Sequence, residues 1–281
     1  MEFTGERFVP ECRGDIALAH YHRYFLAMHA ATGKTVLDIA CGEGYGAWIL
    51  KKTAQKVIGI DLSKDAIEHA HSKYHMDGLS FLQGSASNIP LPDHCVDMIV
   101  SFETIEHLYE QEDMIKEFKR VLAPDGMLIL SSPDKDTYNT DSTTSNPFHV
   151  KELTRSELYS LLKPEFKHIT FYGQQFIYGS IIIGSTGKNL SSMHLKNNEV
   201  HDYDLFNTAE YIICYASNEE LFPTANSILT TSIKESSDVL VLQQRMDKIA
   251  QTPLIKLVNF FHRFYGKIRS TTRKILRKKH E

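Results

Sequence analysis

The chain has 281 residues, 42% hydrophobic and 23% charged, enough for one ordinary core with an appendage. No stretch approaches the roughly 20 uninterrupted apolar residues of a membrane-spanning helix, and the first residues (Met1, Glu2, Arg7, Glu11, Arg13) do not form a basic-then-apolar leader, so a cytoplasmic protein is expected. The net charge of −4 conceals an asymmetry: Gln251 to Glu281 holds nine Lys or Arg and one acid, so this tail carries +8 against −12 in the rest.

In chain order, a mixed aromatic and charged beginning leads into a helix over about Asp15 to His29. From Thr35 a strand-helix alternation starts: strand Thr35 to Ala40, helix Tyr45 to Lys52, strand Lys56 to Ile60, helix Ser63 to Tyr74, strand Leu79 to Leu82. It continues with strand Val96 to Ser101, helix Glu112 to Val121 and strand Gly126 to Ser131, entered through the turn Ala123-Pro124-Asp125-Gly126. Such alternation predicts parallel strands joined by helical crossovers. Asp134 to Pro147 has no apolar period and reads as a loop. Thr154 with Glu157 is a capping box, which starts a helix running to about Leu162. Ile169 to Ile183 and Glu210 to Ala216 are β-rich, and the polar Ser185 to Asp204 between them reads as a surface insertion. A turn-rich linker near Pro223 to Ser227 precedes a helix around Asp238 to Ala250. The four cysteines, Cys12, Cys41, Cys95 and Cys214, lack CxxC spacing and read as reduced and mostly buried.

Val36 to Ile39 is an apolar strand that ends in Ala40-Cys41-Gly42-Glu43-Gly44-Tyr45-Gly46, a glycine-rich turn into a helix that lets a ligand approach the backbone closely. Nineteen residues after Gly42, Asp61 stands at the end of the next strand, where an acid can accept hydrogen bonds from ribose hydroxyls. Those two features alone leave a nicotinamide dinucleotide possible. The turn separates the readings, because Asp-x-x-Cys-Gly-x-Gly lacks the G-x-G-x-x-G that cradles a pyrophosphate, and Asp38 on the strand suits the cationic amino-acid end of a cofactor.

This run, with Asp61, Gly84 to Asp97 (GSASNIPLPDHCVD), Ser101 to Leu108 (SFETIEHL) and Leu122 to Ile129 (LAPDGMLI), resembles the class I S-adenosylmethionine-dependent methyltransferases. The resemblance implies an α/β, Rossmann-like, mostly parallel seven-stranded sheet with helices on both faces, here followed by a C-terminal helical tail. It implies three regions: an N-terminal helical segment over the cofactor (1–30), a methyltransferase domain (31–220), and a linker with a basic amphipathic tail (221–281). By the same resemblance Gly42 and Gly44 line the methionine part of S-adenosyl-L-methionine, Asp61 holds the ribose, Leu62 packs the adenine, Ser85 and Ala86 edge it, and Phe102 closes the pocket. The family often has Asp where this chain has Ser85.

Methyl transfer to an oxygen requires removal of a proton by a base or a metal. Glu103, Glu106 and His107 follow the fourth strand, at the edge where open α/β sheets bind ligands. If a helical turn forms there, Glu103 and His107 share a face with Glu106 beside them. His149, in Asn146-Pro147-Phe148-His149-Val150, lies beyond the fifth strand at the same edge. His107, Glu106 and His149 are the catalytic candidates, and with Glu103 they are also a candidate ligand set for a divalent ion such as magnesium. The alternative is that Glu106 and His107 merely brace the loop.

Thr4 to Pro10 (TGERFVP), His20-Tyr21-His22-Arg23-Tyr24 and NPFHVKELT further resemble methyltransferases of bacterial surface polysaccharides, including O-antigen-type glycans. That likeness implies a glycan acceptor, an N-terminal segment folded over the cofactor, and Arg23 pairing with the methionine carboxylate, a surface ion pair being the alternative. A quinone-type or natural-product acceptor is the rival, as is a non-catalytic cofactor-binding scaffold of a glycan-assembly complex. In the tail, Leu254, Val258, Phe261, Tyr265, Ile268 and Ile275 follow a heptad spacing in a basic helix. This suits an anionic membrane surface, a membrane-bound partner or self-association into a homo-oligomer; with an acidic body, nucleic acid is not expected.

Overall fold

The computed structural model describes residues 14–138, 146–177, 179–185, 193–196, 199–202, 206–221 and 226–230, with positions 241, 244 and 248. The N-terminal TGERFVP run and the basic tail lie outside these. The chain divides into two units, Met1–Thr231 and Ser232–Glu281, and the sheet with its helices belongs to the first.

The elements of this unit are helix α1 (Asp15–Ala30), strand β1 (Thr35–Ile39), α2 (Tyr45–Leu50), β2 (Lys56–Asp61), α3 (Lys64–Lys73), β3 (Leu79–Gln83), β4 (Val96–Phe102), α4 (Gln111–Val121), β5 (Leu122–Pro133) and α5 (Arg155–Leu162). After α5 come β6 (His168–Ile177), β7 (Gly179–Gly184), β8 (Met193–Lys196), β9 (Glu199–Asp202), β10 (Tyr211–Ser217) and β11 (Ser227–Thr230). The strand order is β11-β7-β6-β10-β5-β4-β1-β2-β3. β1 to β5 pair in parallel, while β6, β7, β10 and β11 extend the sheet in antiparallel fashion from the free edge of β5.

The α/β sheet with helices on both faces agrees with the reading from sequence, but nine strands stand where seven were expected. The β-rich segment from Ile169 to Ile183 doubles back near its glycines, so that β6 and β7 pair as a hairpin, and β11 adds an edge from residues read as linker. Part of the polar insertion forms a separate two-stranded ribbon, β8 with β9.

Alternation along the parallel strands explains the layers. Val36 and Met98 face one side and pack with Leu26 and Ala27 of α1, Ala47 and Leu50 of α2, and Ala70 of α3. Leu37 and Ile99 face the other and meet Met114, Ile115 and Phe118 of α4 with Leu158 and Leu162 of α5. The buried stripe of α4, Gln111, Met114, Ile115, Phe118 and Val121, has the spacing of one helical face. Thr154 caps α5: its hydroxyl accepts from the Glu157 amide at 3.2 Å while the Glu157 carboxylate accepts from the Thr154 amide at 2.8 Å.

Because the chain leaves β1 for β2 and β3 on one side, then returns to β4 and β5 on the other, its direction of winding reverses between β1 and β4. Carboxyl ends of strands at such a switch point open a crevice. Both chemistry-bearing segments, the glycine turn after β1 and Glu103 to His107 after β4, leave the sheet there.

Candidate active site

A cavity of about 680 Å³ occupies this crevice. Its roof is one stripe of α1, with Ile16, Ala19, His20, Arg23 and Tyr24 at the three-and-four spacing of a helix. Close packing holds α1 down: a Cβ added at Gly46 would sit 2.0 Å from Tyr24 Cζ, so no larger residue fits under the helix.

At one end are Gly42, Asp61, Leu62, Ser85, Ala86 and Phe102, all drawn from separate points of the sequence to a single wall. Gly42 and Gly44 have φ of 54° and 86°, left-handed values that turn the chain sharply after β1. Asp61 ties the turn together, Oδ2 accepting from the Gly42 amide at 2.8 Å and Oδ1 from the Ser63 amide at 2.9 Å. Leu62 is 72% exposed, an apolar face left open at the rim. Gly44 and Asp38 are not among the lining residues. Asp38 is fully buried behind the wall, where Oδ1 accepts from the Tyr24 hydroxyl at 3.0 Å, and burial pushes its carboxyl up to about 7.

At the other end the expected helical turn after β4 is only a short 3-10 turn, Ile105–His107. Glu103 precedes it with φ of 52° and is thereby separated from the other three ligand candidates. Its carboxylate accepts from Ser131 Oγ at 2.7 Å and stands 3.1 Å from Arg23 Nη1. Arg23, 1% exposed, donates through Nε to Gln174 Oε1 at 2.6 Å, and its Cζ lies 4.5 Å over the Tyr211 ring. Thus Arg23 lines the cavity from within a buried network and is no surface ion pair, while Nη1 and Nη2 find no aligned hydrogen-bond acceptor.

Glu106, His107 and His149 converge, with one ligand atom of each within 4.8 Å of the others. The segment 146–151 is pinned over the 3-10 turn, since the amides of Val150 and Lys151 both donate to Glu106 O, at 2.9 and 3.1 Å. His107 Nδ1 faces Phe148 O at 2.9 Å. A carbonyl only accepts, so Nδ1 carries a proton, and in the neutral ring Nε2 is the nitrogen with the lone pair. His149 is differently placed. Asn146 Oδ1 accepts from the Phe148 amide, so its Nδ2 donates to His149 Nε2 at 2.9 Å, and Nδ1 donates to Glu152 Oε1 at 2.5 Å. Both nitrogens of His149 are committed, and Glu103 is turned to Arg23, so the four residues fit a divalent ion poorly as they stand. Burial, reinforced by Glu103, raises the Glu106 carboxyl well above the ordinary carboxylate range.

Four further residues belong to the site without having been singled out from sequence: Tyr24, Tyr45, Tyr138 and Tyr211. Tyr211 opens β10 opposite Pro133 of β5, and an antiparallel neighbour begins where a parallel strand ends. That pairing carries no local signal. Asn146 sits within the NPFH segment, whose side-chain amide could have been suspected of orienting the histidine three residues on.

Residues 37–130 match the family model described as a methyltransferase domain. Over this segment the chain is similar to methyltransferase domains. The segment spans β1 to β5 and includes the glycine turn, Asp61 and Glu103 to His107. A probable S-adenosylmethionine-dependent methyltransferase of Mycolicibacterium smegmatis is 36% identical over 166 residues, 58% of this chain and 64% of that protein. A fatty-acid O-methyltransferase of the same organism is 34% identical over 118 residues, 38% of this chain and 43% of that protein. The matched stretch therefore covers less than two thirds of the length of these relatives. The α/β fold is shared with the YcgJ protein from Bacillus subtilis, whose crystal structure aligns with a TM-score of 0.54 at 20% identity, covering 72% of this chain and all of that one.

Proposed function

We propose that the chain is an S-adenosylmethionine-dependent methyltransferase that delivers its methyl group to an oxygen of the acceptor. The observation that carries this reading is the convergence on one cavity of the Gly42 turn, the Asp61 carboxylate and the open Leu62 face at one end with His107 Nε2 at the other. The residues fit the cofactor. An acid held rigidly at the end of β2 can take ribose hydroxyls, Leu62 offers an apolar plane to an adenine, and Arg23, whose Nη2 has no hydrogen-bond partner, suits a carboxylate.

When bound, the cofactor supplies an electrophilic methyl on a sulfonium. The chain's own residues orient the acceptor and dispose of its proton. His107, its Nδ1 anchored on Phe148 O, has Nε2 free to take the hydroxyl proton as the new bond forms. Asp38 lies behind Tyr24 and Tyr45, so any effect on the cofactor's ammonium passes through the tyrosine hydroxyl or the field and not through contact.

The resemblance at HYHRY and NPFHVKELT favours a glycan precursor as acceptor, and the basic tail favours work beside an anionic membrane, although no helix among the described residues is long and apolar enough to cross one. An apolar acceptor is the second reading. Tyr109 is 74% exposed next to the catalytic turn, with Phe148 and Val150 also exposed, and one relative is named a fatty-acid O-methyltransferase. The test is transfer of isotope-labelled methyl from S-adenosylmethionine into fractionated cell extract with and without a chelator. Label in the glycolipid or polysaccharide fraction, insensitive to chelator, is expected. Label in free fatty acids or other small molecules selects the second reading, chelator sensitivity restores a metal, and cofactor binding without label in any fraction points to a scaffold.

A further inference from the structure

Besides Arg23, the cavity holds a second unsatisfied group, and this one is an acid. Glu106 is 1% exposed and lines the cavity, and neither carboxylate oxygen has a hydrogen-bond partner. Leaving such a group unpaired costs about 1 to 3 kcal/mol or more, and native proteins seldom tolerate it without a use. The two neighbouring imidazoles cannot supply the bond. His107 Nε2 stands 4.0 Å from Glu106 Oε1 and bears a lone pair, its proton being held on Nδ1 by Phe148 O. His149 spends one nitrogen on Asn146 and the other on Glu152.

The surroundings narrow what the missing partner is. Arg23, in the same cavity wall, is already paired with Glu103 at 3.1 Å and does not serve as the partner of Glu106. The cavity lining also includes aromatic rings in mutual contact: Tyr138 lies 5.7 Å from the His149 ring and 5.6 Å from the Tyr211 ring, centroid to centroid. A wall of aromatic rings beside a buried acceptor carboxylate is suited to a ring that has an apolar face and hydroxyls on its edge.

We propose that Glu106 selects the acceptor, its two carboxyl oxygens hydrogen-bonding to adjacent hydroxyl groups of a polyhydroxylated ring that lies beside Tyr138 and Tyr211. This deepens, and rests on, the methyl-transfer reading. Glu106 holds the hydroxyl pair while His107 Nε2 faces the oxygen to be methylated, so the residue acts as a specificity determinant distinct from the base.

The experiment uses the full chain saturated with S-adenosylhomocysteine and titrates methyl glycosides bearing vicinal hydroxyls against their monodeoxy counterparts, by calorimetry or ligand-observed NMR. The wild type is expected to lose at least about tenfold in affinity when one hydroxyl of the pair is removed, because a site built around a hydroxyl rejects the analogue that lacks it. Glu106→Gln keeps the shape and is expected to bind S-adenosylhomocysteine as the wild type does, to lose about tenfold or more toward the vicinal diol, and to distinguish diol from deoxy probe by less than about twofold. Glu106→Ala should do the same with a larger loss. Equal binding of diol and deoxy probes to the wild type, an undiminished diol affinity in Glu106→Gln, diol binding that requires added magnesium, or no diol binding at all would each overturn the proposal. If S-adenosylhomocysteine itself does not bind the wild type, the methyl-transfer reading fails; if it binds and the diols do not, this proposal alone fails.

Discussion

Asp38 and Asp61 are both acids near the glycine turn, and their surroundings give them opposite tasks. Asp61 accepts two backbone amides and lines the cavity, so its carboxylate is held in a fixed orientation within reach of a ligand. Asp61→Ala should weaken S-adenosylmethionine binding by about 10- to 100-fold, the range for hydrogen bonds to a charged group, as read by calorimetric titration. Asp38 is sealed in the core with its carboxyl raised to about 7, above its usual value near 4. The folded state then binds more protons than the unfolded chain between about pH 4 and 7, so stability falls as pH rises through that window, by no more than about 4 kcal/mol. Asp38→Asn keeps an acceptor for the Tyr24 hydroxyl and removes the charge. Its melting temperature should exceed that of the wild type at pH 8 and match it near pH 4, and a difference independent of pH would count against the buried charge as the cause.

Elements decide where these side chains go. β4 ends at Phe102, and the left-handed Glu103 then turns the chain so that a 3-10 turn, not a helix, presents Glu106 and His107. A helix would put Glu103 and His107 on one face, as expected from their spacing; the strained φ of Glu103 instead sends its carboxylate to Ser131 and Arg23. α1 is the element most sensitive to a small change. Gly46→Ala would drive a methyl into Tyr24, and since overpacking costs about 1 to 3 kcal/mol, the variant should melt several degrees lower and bind the cofactor more weakly as α1 lifts. By contrast, Thr154→Ala removes only the cap of α5, and Thr154 does not line the cavity. It should cost about 1 kcal/mol of stability and leave cofactor affinity unchanged, comparing thermal melts with titrations.

For the whole molecule, a cofactor that binds only the folded chain must raise its melting temperature. At a hundred times the dissociation constant the gain is about 2.7 kcal/mol, which a thermal scan with S-adenosylmethionine would register as a shift of several degrees.

The alternating pattern from Thr35 to Ser131, the glycine turn and the capping box were legible because each is written in neighbouring residues, where backbone conformation and helical or strand periodicity are local matters. So was the gathering of Asp61, Ser85 and Glu106 at one edge, since parallel strands with right-handed crossovers bring all their carboxyl ends to the same side. Not legible were the hairpin of β6 and β7, the edge strand β11, the tyrosines of the cavity and the burial of Arg23. Each depends on which distant segment supplies the neighbour: β10 sets Tyr211 beside β5, α1 meets β6 through Arg23 and Gln174, and the loop at Asn146 decides which nitrogen of His107 and of His149 carries the proton. Contacts such as Arg23 with Gln174, 151 positions apart, or His107 with Phe148, 41 apart, leave no periodic trace in the chain, so only the folded arrangement sets the partner of His107 and leaves Glu106 facing the cavity unpaired.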